Sequence, residues 1–372
     1  MQDVLGLSTA ELAHAIRDVA REPYRAGQIV RWIWEKRADS FEEMTDLPKA
    51  MRLALAARFA ISLPRIVSRS PAEDGAEKFL FELSDGVRVE AVYMVDLKRR
   101  PAAEASESAP GTRVTVCLSS QAGCALDCAF CVTGRIGAGR NLTGGEIVGQ
   151  YLVIAREKGF GPRTANVVFM GMGEPLLNVA NVARALDLLC REVSPRRTTL
   201  STAGVVPGIE ALSRRPRRPN LAVSLSAADD ATRSRLMPVN RTYPLAALFE
   251  ALKNWPLERG RRITFEWVLI AGVNDAPQTA RRLAALVKQV PSKVNVIPLN
   301  ESARWLPDLK RPSPAAVDAF AGALSEAGAD VTVRWSRGLQ ADAACGQLRG
   351  DRKGGSRGAT DPPANDSSLG RT

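Results

Sequence analysis

From Arg113 onward the chain alternates between short apolar runs of β character and longer helical stretches, and this pattern restricts its possible architectures more than any other feature. Strands read at about 114–119, 165–170, 197–202, 220–225, 263–269, 293–298 and 330–335. Helical stretches lie between them at 144–157, 179–192, 243–254, 275–289 and 314–326. Parallel neighbours need crossovers long enough to hold a helix, so the alternation predicts a parallel sheet covered by helices. An open doubly wound sheet satisfies it, and so does a full or partial barrel. The positions of the reactive residues favour a barrel with one working face. Cys124-x3-Cys128-x2-Cys131 follows the first strand and Gly171-Met172-Gly173-Glu174-Pro175 the second. Ser201, then Ser224 and Ser226, Asn300 and finally Cys345 stand at or beyond the ends of later ones. Parallel barrels place their catalytic groups at the carboxyl ends of strands.

The region ahead of the alternation reads as a helical module. Ser8-Thr9-Ala10-Glu11 has the pattern of a capping box, followed by Leu12, Ile16 and Val19 at helical spacing. Pro23 breaks that helix. A second carries Ile29, Trp32, Ile33 and Trp34, and a third begins after Pro48 with Met51, Leu53, Leu55 and Phe59. From Lys78 to Met94 the period changes to two, with Ser84-Asp85-Gly86 as a hairpin turn. Lys98–Thr112, rich in Ala, Ser, Glu and Pro, reads as a flexible linker. The segment after Leu348 has almost no apolar residue and reads as a disordered tail. The predicted organisation is a helical domain over 1–65, a β-hairpin extension with linker over 66–112, a barrel over 113–348 and a tail over 349–372.

Cys124, Cys128 and Cys131 can ligate three corners of a cubane iron–sulfur cluster. Electron-transfer clusters take four thiolates, so a triad leaves one iron open to a substrate or cofactor. Phe130 can shield the cluster from water. Zinc is the competing occupant, but its sites pair Cys-x2–4-Cys knuckles with a fourth ligand, and His14 is the only histidine. Six cysteines in 372 residues do not form a disulfide framework, which points to a reducing cytoplasm. Met1–Ala20 lacks the pattern of a secretory signal, and no apolar run approaches a membrane span. The net charge of +11 is spread in doublets such as Arg196-Arg197, Arg214-Arg215, Arg217-Arg218 and Arg261-Arg262. Nucleic acid fits that spread, and a solvated surface accounts for any single doublet. Charge alone names no substrate.

Gly171–Pro175 sets small residues, which let backbone approach a ligand closely, before a carboxylate suited to an ammonium group. With the triad it resembles the signature and the methionine-amino-group motif of radical S-adenosylmethionine (SAM) enzymes. The likeness extends to Ser119-Ser120-Gln121-Ala122-Gly123-Cys124, Asn166–Asn178, Thr199-Leu200-Ser201-Thr202 and Ala343-Ala344-Cys345-Gly346-Gln347-Leu348. It also covers Pro23–Gln28 and Phe41–Pro48, and over roughly residues 5–349 the chain resembles the RlmN family, radical SAM methyltransferases of carbon 2 of adenosine in RNA.

The resemblance implies an α/β fold, a radical SAM partial (β/α)6-type barrel with the small helical domain and hairpin attached, and an RNA-binding role for the helical domain over 1–65. It implies a 4Fe-4S cluster on Cys124, Cys128 and Cys131, and two SAM molecules per turnover. SAM contacts fall to Gly173, Glu174, Ser201, Ser224, Leu225, Ser226 and Asn300. Cys345 is expected to take a methyl group from one SAM, and a second SAM to supply the 5′-deoxyadenosyl radical that activates the S-methyl carbon. Cys117 then resolves the protein–RNA adduct through a transient disulfide with Cys345, and Glu90 accepts a proton. Such a route suits carbon 2, which is electron-poor and not nucleophilic, whereas an ionised thiol is a strong nucleophile. The implied partners are 23S rRNA at the peptidyl-transferase centre, the tRNA adenosine 3′ of the anticodon and a flavodoxin-like electron donor. A cytoplasmic monomer without membrane attachment is expected.

Two departures stand out: Ser226 occupies a position where the family usually has histidine, and a polar insertion at Pro101–Gly111 lengthens the connection from Glu90 to Cys117. Read without the resemblance, Cys117 is a buried core thiol, Glu90 a solvent-facing strand carboxylate and Cys190 a packing residue. The alternatives are the related Cfr type, which methylates carbon 8, and a non-catalytic iron–sulfur RNA-binding paralogue. The presence of both Cys117 and Cys345 argues against the latter; Ser226 argues for it.

Overall fold

A computed structural model describes residues 1–95 and 113–350. The expected linker at 98–112 lies outside the described residues, as does the expected tail apart from Arg349 and Gly350.

The N-terminal module contains the helices Thr9–Ala15, Tyr24–Trp34 and Lys49–Arg58, closed by a parallel pair of two-residue strands, β1 (Gln2–Asp3) and β2 (Phe59–Ala60). Its capping box forms: the Glu11 amide donates to Ser8 Oγ at 3.2 Å, and the Ser8 amide donates to the Glu11 carboxylate at 2.8 Å. Such a cap stabilises a helix by about 1 kcal/mol. Leu12, Ile16, Ile29, Ile33 and Leu55, spaced for one helical face each, are all buried. A bidentate pair between Arg37 and Glu192, both contacts 2.7 Å, ties the module to the body.

The remaining ten strands form one sheet whose spatial order follows the chain. They are β3 (Arg65–Pro71), β4 (Ala76–Glu82), β5 (Arg88–Val95), β6 (Val114–Cys117), β7 (Ala165–Phe169), β8 (Thr198–Thr202), β9 (Asn220–Ser224), β10 (Ile263–Leu269), β11 (Ser292–Pro298) and β12 (Val331–Val333). β3 to β6 pair antiparallel, and β6 to β12 run parallel. The expected hairpin is thus the inner part of a three-stranded extension continuous with the main sheet. Its outer strand, β3, is polar, half-exposed and bulged between Ile66 and Ser68. Such features blunt an edge strand and erase the apolar alternation that marks inner ones.

β7 shows how the parallel strands build a hollow. Ala165 and Val167 are fully buried away from the hollow, whereas Asn166 and Val168 line a cavity of about 600 Å³. Val92 and Thr115 on one flank of the parallel run line the same cavity as Asn295 and Thr332 on the other. The sheet therefore curls until its flanks face each other without pairing, a partial barrel.

Candidate active site

The strand ends converge on an inner cavity whose wall includes Cys124, Cys128, Cys131, Gly173, Glu174, Ser201, Ser224, Asn300 and Cys345. The cysteine loop is held by its own backbone. Cys131 N–H donates to Cys128 O at 3.0 Å, and Cys124 N–H to Gly137 O at 2.9 Å. A Cβ on Gly123 would stand 2.2 Å from Gly137 O, so only glycine fits there. Burial pushes the Cys124 thiol up to about 12 and Cys128 well above its ordinary range, and neighbouring thiols add to both shifts. Thiolates crowded in this way need a cation to replace their protons. Among the described residues no three His, Cys, Asp or Glu side chains converge tightly enough to grip a single metal ion. Three thiols suit a cluster that keeps one iron open, whereas a structural zinc takes four protein ligands.

Glu174 is buried in the same wall. Its Oε1 accepts the Leu176 amide at 3.0 Å and its Oε2 the Ala203 amide at 2.7 Å. Burial pushes this carboxyl up, and the two amides pull it back. No cation among the described residues pairs with it, which suits a carboxylate that waits for a ligand's ammonium. Gln121 sets the loop, its Oε1 accepting the Glu174 amide at 2.7 Å. Gly173, at φ +96°, leaves no room for a Cβ beside the Gln121 side chain.

Ser201, Ser224 and Asn300 face the cavity from the ends of β8, β9 and β11; Leu225 and Ser226 do not. Leu225 is core. Ser226 turns the chain at φ +52°, fully buried, with its Oγ accepting the Val268 amide at 3.3 Å and its carbonyl accepting Asn274 Nδ2 at 2.8 Å. Its side chain supports a turn.

Cys345 stands where two cavities meet, lining the one at the cysteine triad and also the 600 Å³ hollow of the sheet that holds Cys117. It is open to cavity solvent although protein surrounds it. Burial pushes its thiol up, and the Arg334 guanidinium pulls it back. Burial likewise pushes Cys117 up to about 12, with a smaller contribution from Cys345. All six cysteines are free. Glu90 lines neither cavity. Its carboxylate is 3.0 Å from Lys78 Nζ, and its Oε2 accepts the amides of Arg349 and Gly350 at 2.7 and 3.2 Å.

Two site residues escaped the sequence reading. Glu266 lies in the inner wall, one oxygen accepting Asn295 Nδ2 at 3.1 Å and the other without a hydrogen-bond partner among the described residues. Arg334 lines both cavities. A lone charge inside an apolar strand, as in Thr264-Phe265-Glu266-Trp267, was the available signal.

Two family profiles match the chain: "Ribosomal RNA large subunit methyltransferase N-terminal domain" over residues 2–61 and "Radical SAM superfamily" over 118–284. The chain is 45% identical to a probable dual-specificity RNA methyltransferase RlmN of Thermus thermophilus, over 88% of this chain and 89% of that one. It is 43% identical to the dual-specificity RNA methyltransferase RlmN of Geobacter sulfurreducens, over 94% and 92%. A crystal structure of a radical SAM methyltransferase from Sphaerobacter thermophilus superposes with a TM-score of 0.84 at 40% identity, over 94% of this chain and all of that one.

Proposed function

The chain belongs to the RlmN family of radical SAM RNA methyltransferases, and on that premise we propose that it methylates carbon 2 of adenosine in 23S rRNA and in tRNA. The observation that carries this reading is the position of Cys345 between the cavity of the cysteine triad and the cavity of Cys117. One thiol thereby reaches a cofactor on one side and a substrate with a second thiol on the other.

Cys124, Cys128 and Cys131 would hold a 4Fe-4S cluster, and Glu174 with Gly173, Ser201, Ser224 and Asn300 would hold SAM. When bound, cluster and SAM supply one-electron chemistry able to functionalise an electron-poor ring carbon. Cys345 first attacks the methyl carbon of one SAM, its sulfur gaining the S–C bond that the sulfonium loses. A second SAM and the cluster would supply the one-electron chemistry that joins this carbon to the ring and would take up the electron left when the ring proton departs. After the carbon has joined the ring, Cys117 attacks the Cys345 sulfur. An S–S bond forms as the S–C bond breaks, and the released electron pair stays with the carbon, which takes up a proton. Glu90 is the proposed acceptor of the ring proton. To serve, its carboxylate must first leave the Arg349 and Gly350 amides. The net charge of +11 favours an RNA partner. Among the described residues no helix is long and apolar enough to cross a membrane. A cytoplasmic monomer served by a flavodoxin-like donor completes the reading.

The test is anaerobic reconstitution with iron, sulfide and SAM, using transcribed rRNA and tRNA fragments and mass spectrometry of the nucleosides. We expect 2-methyladenosine and a methyl group on Cys345 in the intact protein. Finding 8-methyladenosine would reassign the enzyme to the carbon 8 type. Iron-loaded protein that leaves both RNAs unmodified would overturn the activity.

A further inference from the structure

Arg233, on the helix Asp230–Leu236, is fully buried at 0% exposure, although arginine is seldom buried without a partner. Its guanidinium donates to Asn240 Oδ1 at 2.8 Å, to Ala203 O at 2.7 Å, and to the carbonyls of Ser224 and Leu225 at 3.3 Å each. All of these are neutral oxygens. No carboxylate among the described residues forms an ion pair with it. Asp230, whose charge it feels, is engaged by the Leu245 amide at 2.9 Å and by Asn240 Nδ2 at 3.0 Å, so the two connect only through Asn240. Burial lowers the guanidinium to about 10, which leaves it charged at neutral pH. An uncompensated buried charge costs several kcal/mol. The fold keeps this one, so a counter-charge has to be sought nearby.

The surroundings supply it. The helix docks on the cysteine loop, where Leu236 O accepts the Ala129 amide, next to Cys128, at 2.8 Å. Met237, which follows the helix, lines the inner cavity with the three cysteines. We infer that Arg233 is the fixed counter-charge of the thiolate triad, balancing the anionic cluster held by Cys124, Cys128 and Cys131 and raising its reduction potential. This rests on the reading of the triad as a cluster site. On reduction one electron passes from the donor to the cluster, the donor is oxidised, and no proton need accompany it. The added negative charge then falls beside a guanidinium already fixed in place, so the reduced form gains more than the oxidised one. Arg233 touches no reacting atom; it is a positioning residue.

Its ties to the ends of β8 and β9 could instead be purely structural, so the test reads a potential. Iron-loaded wild type, Arg233→Met, Arg233→Lys and Asp230→Asn are poised against dithionite, and the reduced cluster is followed by electron paramagnetic resonance. Arg233→Met should lower the equilibrium constant for one-electron reduction about tenfold, about 59 mV to the negative side. Arg233→Lys should stay near wild type, and Asp230→Asn should move the other way by less. An unmoved potential in Arg233→Met at full iron content, or an equal shift in Arg233→Lys, overturns the inference. If Arg233→Met does not fold, an Asp230→Asn potential that stays put or falls overturns it. Protein that binds no iron at all overturns the reading of the triad itself; iron with an unmoved potential overturns only the role of Arg233.

Discussion

The loop that carries the triad and the loop that carries Cys345 meet at one cavity but are held in opposite ways. The first is short in sequence and largely self-supporting, three thiols within eight residues braced by backbone bonds and close glycine contacts. The second hangs from partners scattered through the chain. Asp74 accepts the Gly338 amide at 2.7 Å, Lys78 Nζ donates to Asp342 O at 3.3 Å, and Asn300 Nδ2 donates to Cys345 O at 2.9 Å. Gly346 O accepts the Val132 amide at 2.7 Å, Leu348 O accepts Thr133 Oγ1 at 2.6 Å, and Glu90 holds the amides of Arg349 and Gly350. A cluster needs a rigid frame, whereas a thiol that serves two cavities needs a loop that can shift. Single bonds from many elements allow small shifts at the expense of one or two contacts.

The largest effects should separate the two loops outright. Cys128→Ser should lose iron and all methylation. Cys345→Ala should keep its iron and lose methylation just as completely, with no methyl group in the intact mass. Cys117→Ala should keep both iron and the methyl group and accumulate a covalent protein–RNA species visible on denaturing gels. Iron lost from Cys345→Ala would show that the loops are one structural unit. Next comes Lys78→Met, which leaves the Glu90 carboxylate buried without its cation. Removing one partner of such a pair costs about 3–5 kcal/mol. Urea unfolding should register that loss, and limited proteolysis should find residues 338–350 newly cleavable while the triad region stays protected.

A smaller, graded effect concerns pH. The thiolate is the nucleophile, and burial raises the Cys345 thiol above its ordinary value. The ionised fraction is therefore the minor one near neutrality and grows about tenfold per pH unit until the thiol's own pKa. Methyl transfer to Cys345, followed by intact mass, should accelerate with rising pH over that interval. Because Arg334 pulls the thiol back down, Arg334→Met should displace the profile to higher pH. A flat profile would mean that the thiol is ionised by another route.

The same contrast explains what could be read from sequence. The parallel alternation and the triad were legible because each is written in consecutive residues, as were the capping box at Ser8 and the Ser84–Gly86 turn. β3 was not, since an edge strand of Arg, Ser and Pro lacks apolar alternation. The placement of Ser226 depends on its backbone turn, and that of Glu90 on Lys78 and on amides more than 250 residues away. The resemblance named Cys345 and Cys117, but their shared cavity follows from how far the sheet curls. Arg233 carries no motif and only its burial sets it apart, whereas Glu266 shows in the sequence as a lone charge inside an apolar strand.

The mildest test cuts the direct side-chain tie between the loops. Thr133 lies two residues beyond Cys131, and its hydroxyl donates to Leu348 O, both groups buried. Thr133→Val keeps the shape and leaves that carbonyl unsatisfied, a loss of about 1–3 kcal/mol. The triad loop relies on its own backbone, so iron content should not change. The Cys345 loop loses one of its single-bond anchors, so alkylation of Cys345, mapped by peptide mass spectrometry, should quicken. If the opposite pattern emerged, with iron loosened and Cys345 unaffected, the rigid partner would be the C-terminal loop, and the assignment of frame and moving part would have to be exchanged.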